Sequence, residues 1–278
     1  MSQQDLAARF RALHAPGAHR PLVLVNAWDA MTARLVEAAG APALATTSAG
    51  VAWALGRPDG QAVTREAMLD AVRLIAGAVR IPVTADVESG YGSGTPQDAA
   101  ATARGVLDAG AVGLNLEDAP GKDGAVVVDA EYHAERIAAM RAAAGPALFI
   151  NARTDAILRK VGADDAARFD EAVRRARLYV EAGADGIFVP GATDAELIRR
   201  LAAAVGAPLN VIGGPGVPTI PELGALGVAR VSVGPGLARA VMAHVRRAAA
   251  ELLGAGTYGE IGDQVPSPEA NALFAARP

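Results

Sequence analysis

The sequence contains no cysteine, which excludes disulfides, thiolate metal sites, iron–sulfur clusters and a cysteine nucleophile. Lysine is nearly as scarce, with Lys122 and Lys160 the only two among 26 basic residues. Apolar runs are short: Pro21–Ala27 and Ala41–Ala45 are strand-sized, far below the roughly 20 residues of a membrane helix, so no membrane partner is expected. Positive charge is not in excess either. With 26 basic and 30 acidic residues the net charge is −4, and no overall field draws a nucleic-acid backbone. The segment from Met1 to Arg11 carries Gln, Asp and Arg without the apolar stretch of a signal peptide, so a cytoplasmic location is expected.

Apolar residues dominate instead. Hydrophobic residues make up 51% of the 278 positions and charged residues 20%, enough apolar surface to offset the entropy of ordering a globular core. No linker rich in Pro, Gly and Ser divides the chain. One pattern recurs, in which an Ala-rich amphipathic run stops at Gly and a short apolar run follows. It occurs at Gly40, Gly110, Gly145, Gly183, Gly206 and Gly227, and Gly is the residue that closes a helix in the left-handed conformation.

These stops, with two further runs, predict eight strands: Leu22–Asn26, Ala43–Thr46, Pro82–Ala85, Val112–Leu116, Ala147–Asn151, Gly186–Val189, Leu209–Ile212 and Arg230–Val233. Continuous apolar runs of this length suit parallel strands buried on both faces. Helices are predicted over Ala30–Ala39, Arg65–Val79, Pro96–Ala109, Ala130–Ala144, Asp164–Ala182, Asp194–Ala204, Ile220–Leu226 and Leu237–Leu253. Eight of each in alternation predict a (β/α)8 TIM barrel as a single domain over residues 1–278, with a tail from about Gly254. A doubly wound sheet is the rival, and the tail either packs on a neighbour or hangs loosely.

Catalytic residues of such barrels sit where strands end, and the predicted strand ends are polar. They include Asn26, Thr47-Ser48, Asp86-Val-Glu88, Asn115-Leu-Glu-Asp118, Asn151-Ala-Arg-Thr-Asp155, Asn210 and Ser232. Asp86, Glu88 and Glu117 on neighbouring strands would repel one another unless a cation stands between them. His14, His19, His133 and His244 all lie away from predicted strand ends. Oxygen ligands without imidazole or thiolate suit Mg²⁺, with Mn²⁺ as an alternative. Each carboxylate taken singly could equally cap the following helix.

Arg153 has two readings. It is either a fork for a substrate carboxylate or phosphonate, or one half of an internal ion pair with Asp155 or Glu117. Neither lysine falls at a strand end, which argues against Schiff-base chemistry. The turns Gly213–Gly216 and Gly234-Pro-Gly236 could cradle phosphate or merely punctuate loops. Residues Gly121–Val128 read as a gating loop or a static one.

The ordered set Asn26-Ala-Trp-Asp29, Thr47-Ser48-Ala49-Gly50, Asp59 in Gly56-Arg-Pro-Asp-Gly60, Asp86-Val-Glu-Ser-Gly-Tyr-Gly92, Asn115-Leu-Glu-Asp118, Asn151-Ala-Arg-Thr-Asp155 and Asn210 resembles the isocitrate lyase/phosphoenolpyruvate mutase superfamily. The resemblance spans about residues 22 to 240. It implies a barrel whose eighth helix is exchanged between subunits of a dimer or tetramer. It also implies Mg²⁺ at Asp86, with Glu88, Glu117 and Asp59 reaching the ion directly or through water. Ser48-Ala49-Gly50 would hold a substrate carboxylate and Arg153 its other anionic end, with Trp28, Thr47, Tyr91 and Asn210 completing the pocket. Packing is the alternative role for Trp28, and a flexible turn for Tyr91.

The implied chemistry is carbon–carbon cleavage or decarboxylation of a small 2-oxo or 2-hydroxy acid, oxaloacetate-like, through a metal-stabilised enolate. Two departures bear on it. Superfamily lyases carry a cysteine acid/base in the loop after the fourth strand, whereas Asp118-Ala-Pro-Gly-Lys-Asp-Gly-Ala125 has none. Lys122 is the sole remnant there of a mutase-type loop, and Glu88 stands where Asp is usual. Phosphonopyruvate hydrolase or mutase chemistry is the second expectation, and a carboxylate-binding barrel without turnover the third.

Overall fold

The structure is a computed structural model, and it describes residues 1–15, 20–119 and 127–275. Nine strands form one parallel sheet: β1 (Leu22–Leu24), β2 (Asn26–Ala27), β3 (Leu44–Thr46), β4 (Val83–Asp86), β5 (Gly113–Glu117), β6 (Phe149–Arg153), β7 (Gly186–Phe188), β8 (Leu209–Ile212) and β9 (Arg230–Ser232). β1 and β2 are one extended segment interrupted at Val25. Its first half pairs with β9, Leu22 opposite Arg230, and its second half with β3, Asn26 opposite Ala45. The sheet therefore runs from the first stave round to the last and closes as the expected eight-staved barrel.

The helices are α1 (Gln3–Ala12), α2 (Ala30–Ala38), α3 (Ser48–Ala54), α4 (Arg65–Ala78), α5 (Pro96–Asp108), α6 (Ala130–Ala144), α7 (Asp165–Glu181), α8 (Ala195–Ala204), α9 (Ile220–Ala225), α10 (Gly236–Gly254) and α11 (Ser267–Ala275). Their starts follow from capping side chains. Asp29 accepts from the Thr32 N–H at 2.7 Å, and Thr95 from the Asp98 N–H at 3.1 Å with Pro96 in the first turn. Their stops follow from glycine: all six positions that the sequence marks have positive φ, from 58° at Gly145 to 107° at Gly183.

Three helices lie outside the eight predicted. α1 opens on a capping box between Ser2 and Asp5 and buries Ala7 and Phe10. α3 begins at Ser48, within the segment that the sequence marks as a strand end. α11 lies in the tail, which turns back onto α2, where the Arg34 Nε donates to the Leu273 carbonyl at 2.9 Å. No helix among the described residues is long and apolar enough to cross a membrane.

Two apolar clusters carry the fold. The larger fills the space between the barrel wall and its helices. The smaller, built from Ala7, Phe10, Leu22, Leu24, Ala43, Ala45, Val112 and Phe149, fills the barrel where the strands begin. Phe10 is its stopper, fully buried and edge-on to Phe149 with ring centroids 5.4 Å apart. Arg11 secures the same helix by an ion pair to Asp185 at 2.5 Å. The opposite end stays polar and open.

α10 leaves an apolar groove of ≈ 430 Å³ uncovered between itself and α2, lined by Val23, Val25, Trp28, Leu35, Val36 and Val241. Met242, Val245 and Leu253 are exposed farther along α10. Because Phe10 is fully buried against the rings of Phe149 and His14 and beneath the Arg230 guanidinium, Phe10→Ala is expected to cost about 3–5 kcal/mol. A urea titration followed by circular dichroism measures it, and a loss under 1 kcal/mol would show that α1 is not needed to close the barrel.

Candidate active site

The strand register brings acidic residues to the open rim. Asp86 ends β4 opposite Asn115, and Glu117 ends β5 opposite Arg153. The Ser48 hydroxyl and N–H both donate to Asp86 Oδ2, at 2.7 and 3.0 Å. Thr46 Oγ1 accepts from the Asp86 N–H at 2.8 Å, so the 46–48 segment holds the carboxylate by two hydrogen bonds and the backbone beneath it by a third.

Glu88 sits in a left-handed turn with φ 51°, and Tyr91 in another with φ 59°. Such a backbone costs side-chain-bearing residues energy and persists only where surrounding bonds hold it. Here Gln61 donates its N–H to Glu88 Oε2 at 2.5 Å and its amide to Ser89 Oγ, Arg136 donates to the Ser89 carbonyl, and Thr102 donates to the Gly90 carbonyl at 2.7 Å. The turn directs the Glu88 side chain inward, where it is buried. Burial, and next the Asp86 charge, push the Glu88 carboxyl up to about 7.

Arg153 fulfils the ion-pair alternative with both named partners. Nη1 lies 2.6 Å from Glu117 Oε2, while Nε and Nη2 donate to the two oxygens of Asp155 at 2.7 and 3.1 Å. Arg159 Nε reaches the same Asp155 at 3.2 Å. Burial pushes Glu117 up to about 8, with the Arg153 charge pulling the other way. Behind this pair Asp118 is fully buried and accepts from the Asp155 N–H and the Tyr179 hydroxyl, both at 2.8 Å, and from Arg175 at 3.2 Å. It is thus a structural anchor of the rim.

Beneath the rim lies a buried amide layer. Asn115 and Asn151 precede Glu117 and Arg153 by two residues and face the same way. Asn151 Nδ2 donates to Asn115 Oδ1 at 2.8 Å and to Asn210 Oδ1 at 3.1 Å. Asn210 Nδ2 donates to the Val211 carbonyl at 2.8 Å, so this expected pocket residue is bound within the interior and fully buried. Arg230 enters the layer from β9, donating through Nη2 to Asn115 Oδ1 at 3.0 Å.

The remaining expected residues scatter. Thr47 is buried and forms the N-cap of α3, whose first-turn Ala49 and Gly50 N–H groups point toward no acceptor within the helix. Tyr91 is buried, its hydroxyl 3.5 Å from Glu88 Oε1. Asp59 is exposed on the loop after α3, close enough for its charge to act on Glu88. Trp28 lines the apolar groove beside α2, and its Cβ lies where a side chain at Gly50 would fall. Lys122, and positions 121–126 of the expected gating loop, lie outside the described residues. Gly216 of the Gly213–Gly216 turn borders a cleft walled by Asp194 and Glu222, while Pro215 of that turn and Gly236 of the other border a second cleft lined by Arg239 and Arg246. Gln61, Arg136 and Arg230 had no motif to mark them in the sequence.

The donor set fits a hard divalent cation. Asp86, Glu88 and Glu117 are oxygen donors whose charges act against one another, and Asp86 Oδ1 has no hydrogen-bond partner among the described residues. No group of three His, Cys, Asp or Glu stands ready as a cage among the described residues. Mg²⁺ needs none, since one or two carboxylates with waters and substrate oxygens complete its shell.

The phosphoenolpyruvate phosphomutase family model matches residues 10–253. An uncharacterised Mycobacterium tuberculosis protein is 38% identical over 225 residues, 81% of each chain. The 2-methylisocitrate lyase of Escherichia coli is 33% identical over 214 residues, 71% of this chain and 70% of its own. An oxaloacetate decarboxylase from Bradyrhizobium is 32% identical over 215 residues, 75% and 71%. Among solved structures, a putative lyase/mutase from Burkholderia cenocepacia is 42% identical with a TM-score of 0.89, covering 99% of this chain and 97% of that one. A phosphonopyruvate hydrolase, crystallised with oxalate and Mg²⁺, is 26% identical with a TM-score of 0.84, covering 99% and 95%. The rim of acids, the arginine fork and these matches agree, and the chain belongs to the phosphoenolpyruvate phosphomutase family, within the isocitrate lyase/phosphoenolpyruvate mutase superfamily of lyases and mutases.

Proposed function

We propose that this enzyme is a Mg²⁺-dependent lyase that decarboxylates or cleaves a small 2-oxo or 2-hydroxy carboxylic acid of the oxaloacetate type. The observation that carries the reading is the Arg153 guanidinium, 2.6 Å from Glu117 at a rim that also holds Asp86 and Glu88. It sets a fixed anion anchor beside hard oxygen donors. The oxaloacetate decarboxylase and the oxalate- and Mg²⁺-bound hydrolase among the relatives support the substrate class and the ion.

Asp86 and Glu88 would hold Mg²⁺, with Glu117 and Asp59 reaching it directly or through water. When bound, the ion supplies positive charge against the negative charge that develops as the enolate forms. The rest falls to the chain itself. Arg153 trades its Glu117 contact for the substrate's distal carboxylate and keeps Asp155, which fixes the plane of the fork. The Ala49 and Gly50 N–H groups bind the carboxylate beside the keto group. Tyr91, buried against Glu88, excludes water from that side. Loss of CO2 breaks a carbon–carbon bond with no hydroxyl proton to remove, and the enolate left behind can take its proton from water, which suits a chain without the loop cysteine.

The groove beside α10 supports a homodimer or tetramer in which α10 of one subunit covers the apolar groove of another. Val241→Asp is then expected to lower the mass measured by light scattering, and an unchanged mass would rule out this contact.

With Mg²⁺ present, ¹³C NMR is expected to show oxaloacetate converted to pyruvate above the spontaneous rate. ³¹P NMR is expected to show phosphonopyruvate unchanged; the reverse pair of results would move the chemistry to phosphorus. Arg153→Ala is expected to lower kcat/KM by about a hundredfold or more, and Arg153→Lys to recover little of it, since a lysine cannot form the fork.

Glu88 and Glu117 hold protons in the folded chain at pH values where they are ionised in the unfolded chain. Without divalent ions, stability is therefore expected to fall as pH rises from about 4.5 toward 8. Millimolar Mg²⁺ should restore it at pH 8 but not at pH 5, as read by melting temperature. A melting temperature indifferent to Mg²⁺ at pH 8 would count against the ion site.

A further inference from the structure

Arg230 is the largest fully buried side chain among the described residues. It rises from the start of β9 into the barrel interior, between the Phe10 stopper and the amide layer. Its guanidinium carbon lies 5.9 Å from the Phe10 ring, and Nη2 donates to Asn115 Oδ1 at 3.0 Å. Nε and Nη1 have no partner among the described residues. An arginine stays charged in a protein, and a buried charge without a counter-ion costs several kcal/mol. The interior of this barrel offers amides and Phe10 where a paired arginine would have a carboxylate.

The charges that can offset it lie above. Asn115, its single side-chain acceptor, stands opposite Asp86 in the β4–β5 register, and the Asn115 carbonyl accepts the Val87 N–H at 3.3 Å, between Asp86 and Glu88. Asp86 is the carboxylate whose charge acts on Arg230. The cation is thus placed under the acidic pair, one amide away and out of reach of direct ion pairing. A positive charge so placed repels a second cation bound to those carboxylates.

We propose that Arg230 is a positioning residue of the ion site: a fixed, unpaired cation beneath Asp86 and Glu88 that limits the affinity with which they hold a divalent ion. The proposal rests on the Mg²⁺ reading given above. Arg230 touches neither ion nor substrate. It acts through its field and through Asn115, whose oxygen it shares with Asn151.

The sign of the effect separates this role from a purely structural one. A variant that only loosens the site binds ions more weakly, whereas removal of a repelling charge makes binding tighter. Arg230→Met is expected to bind Mn²⁺, counted by electron paramagnetic resonance, and Mg²⁺, by calorimetry, about three- to tenfold more tightly than the wild-type protein at pH 8. Arg230→Lys keeps the charge and is expected to stay near the wild-type affinity. Asn115→Asp serves as the second variant, because it keeps an acceptor for Arg230 and Asn151 while placing a counter-charge on the guanidinium. It too is expected to bind Mn²⁺ more tightly.

Equal or weaker binding by a folded Arg230→Met, or by Asn115→Asp if the first does not fold, overturns the proposal and leaves the Mg²⁺ reading intact. A wild-type protein that binds neither ion overturns both.

Discussion

Parallel pairing forces like charges together at one end of this barrel. Asp86 and Glu117 end adjacent strands, and Glu88 follows through a left-handed turn, so three carboxyls share this rim closely enough for their charges to act on one another. Nothing in the local sequence relieves the repulsion. What the structure supplies is a set of donors that share each charge out: Ser48 for Asp86, Gln61 for Glu88 and Arg153 for Glu117. The rim is tense in the electrostatic sense, and that tension is what gives an arriving cation its hold.

The two ends of the barrel solve opposite problems. At the beginning of the strands Phe10, Leu22, Leu24 and Phe149 exclude water, and α1 is fastened across them by Arg11 and Asp185. Toward the other end the interior turns to amides, then to ionisable groups. Each step adds polarity without leaving amides unsatisfied, since Asn115, Asn151 and Asn210 bond chiefly to one another and to the backbone. Arg230 is the exception within this gradient.

Most of the barrel was legible because its punctuation is local. A glycine closing a helix and an apolar run opening a strand are decided within a few residues, and Gly40, Gly110, Gly145, Gly183, Gly206 and Gly227 all take the positive φ that the pattern implies. The rim acids were legible because parallel strands place their ends side by side. Gln61 was not, since its importance depends on a loop folding over Glu88 from 27 residues away. Arg230 was hidden for another reason: one charged residue in Arg230-Val-Ser faces inward or outward according to a register set by Leu22, at the far end of the chain. α3 was missed because Ser48-Ala49-Gly50 reads as loop while it in fact starts a short helix.

The interruption at Val25 divides one stave between two neighbours, with β1 bonded to β9 and β2 to β3. The last strand to leave the ribosome is therefore the one that the first has been waiting for. Until β9 arrives, β1 presents a bare parallel edge more than 200 residues upstream of its partner, an arrangement that slows folding and invites pairing with foreign chains. Synthesis of this enzyme carries an interval of exposure that ends only when Arg230–Ser232 can reach Leu22–Leu24.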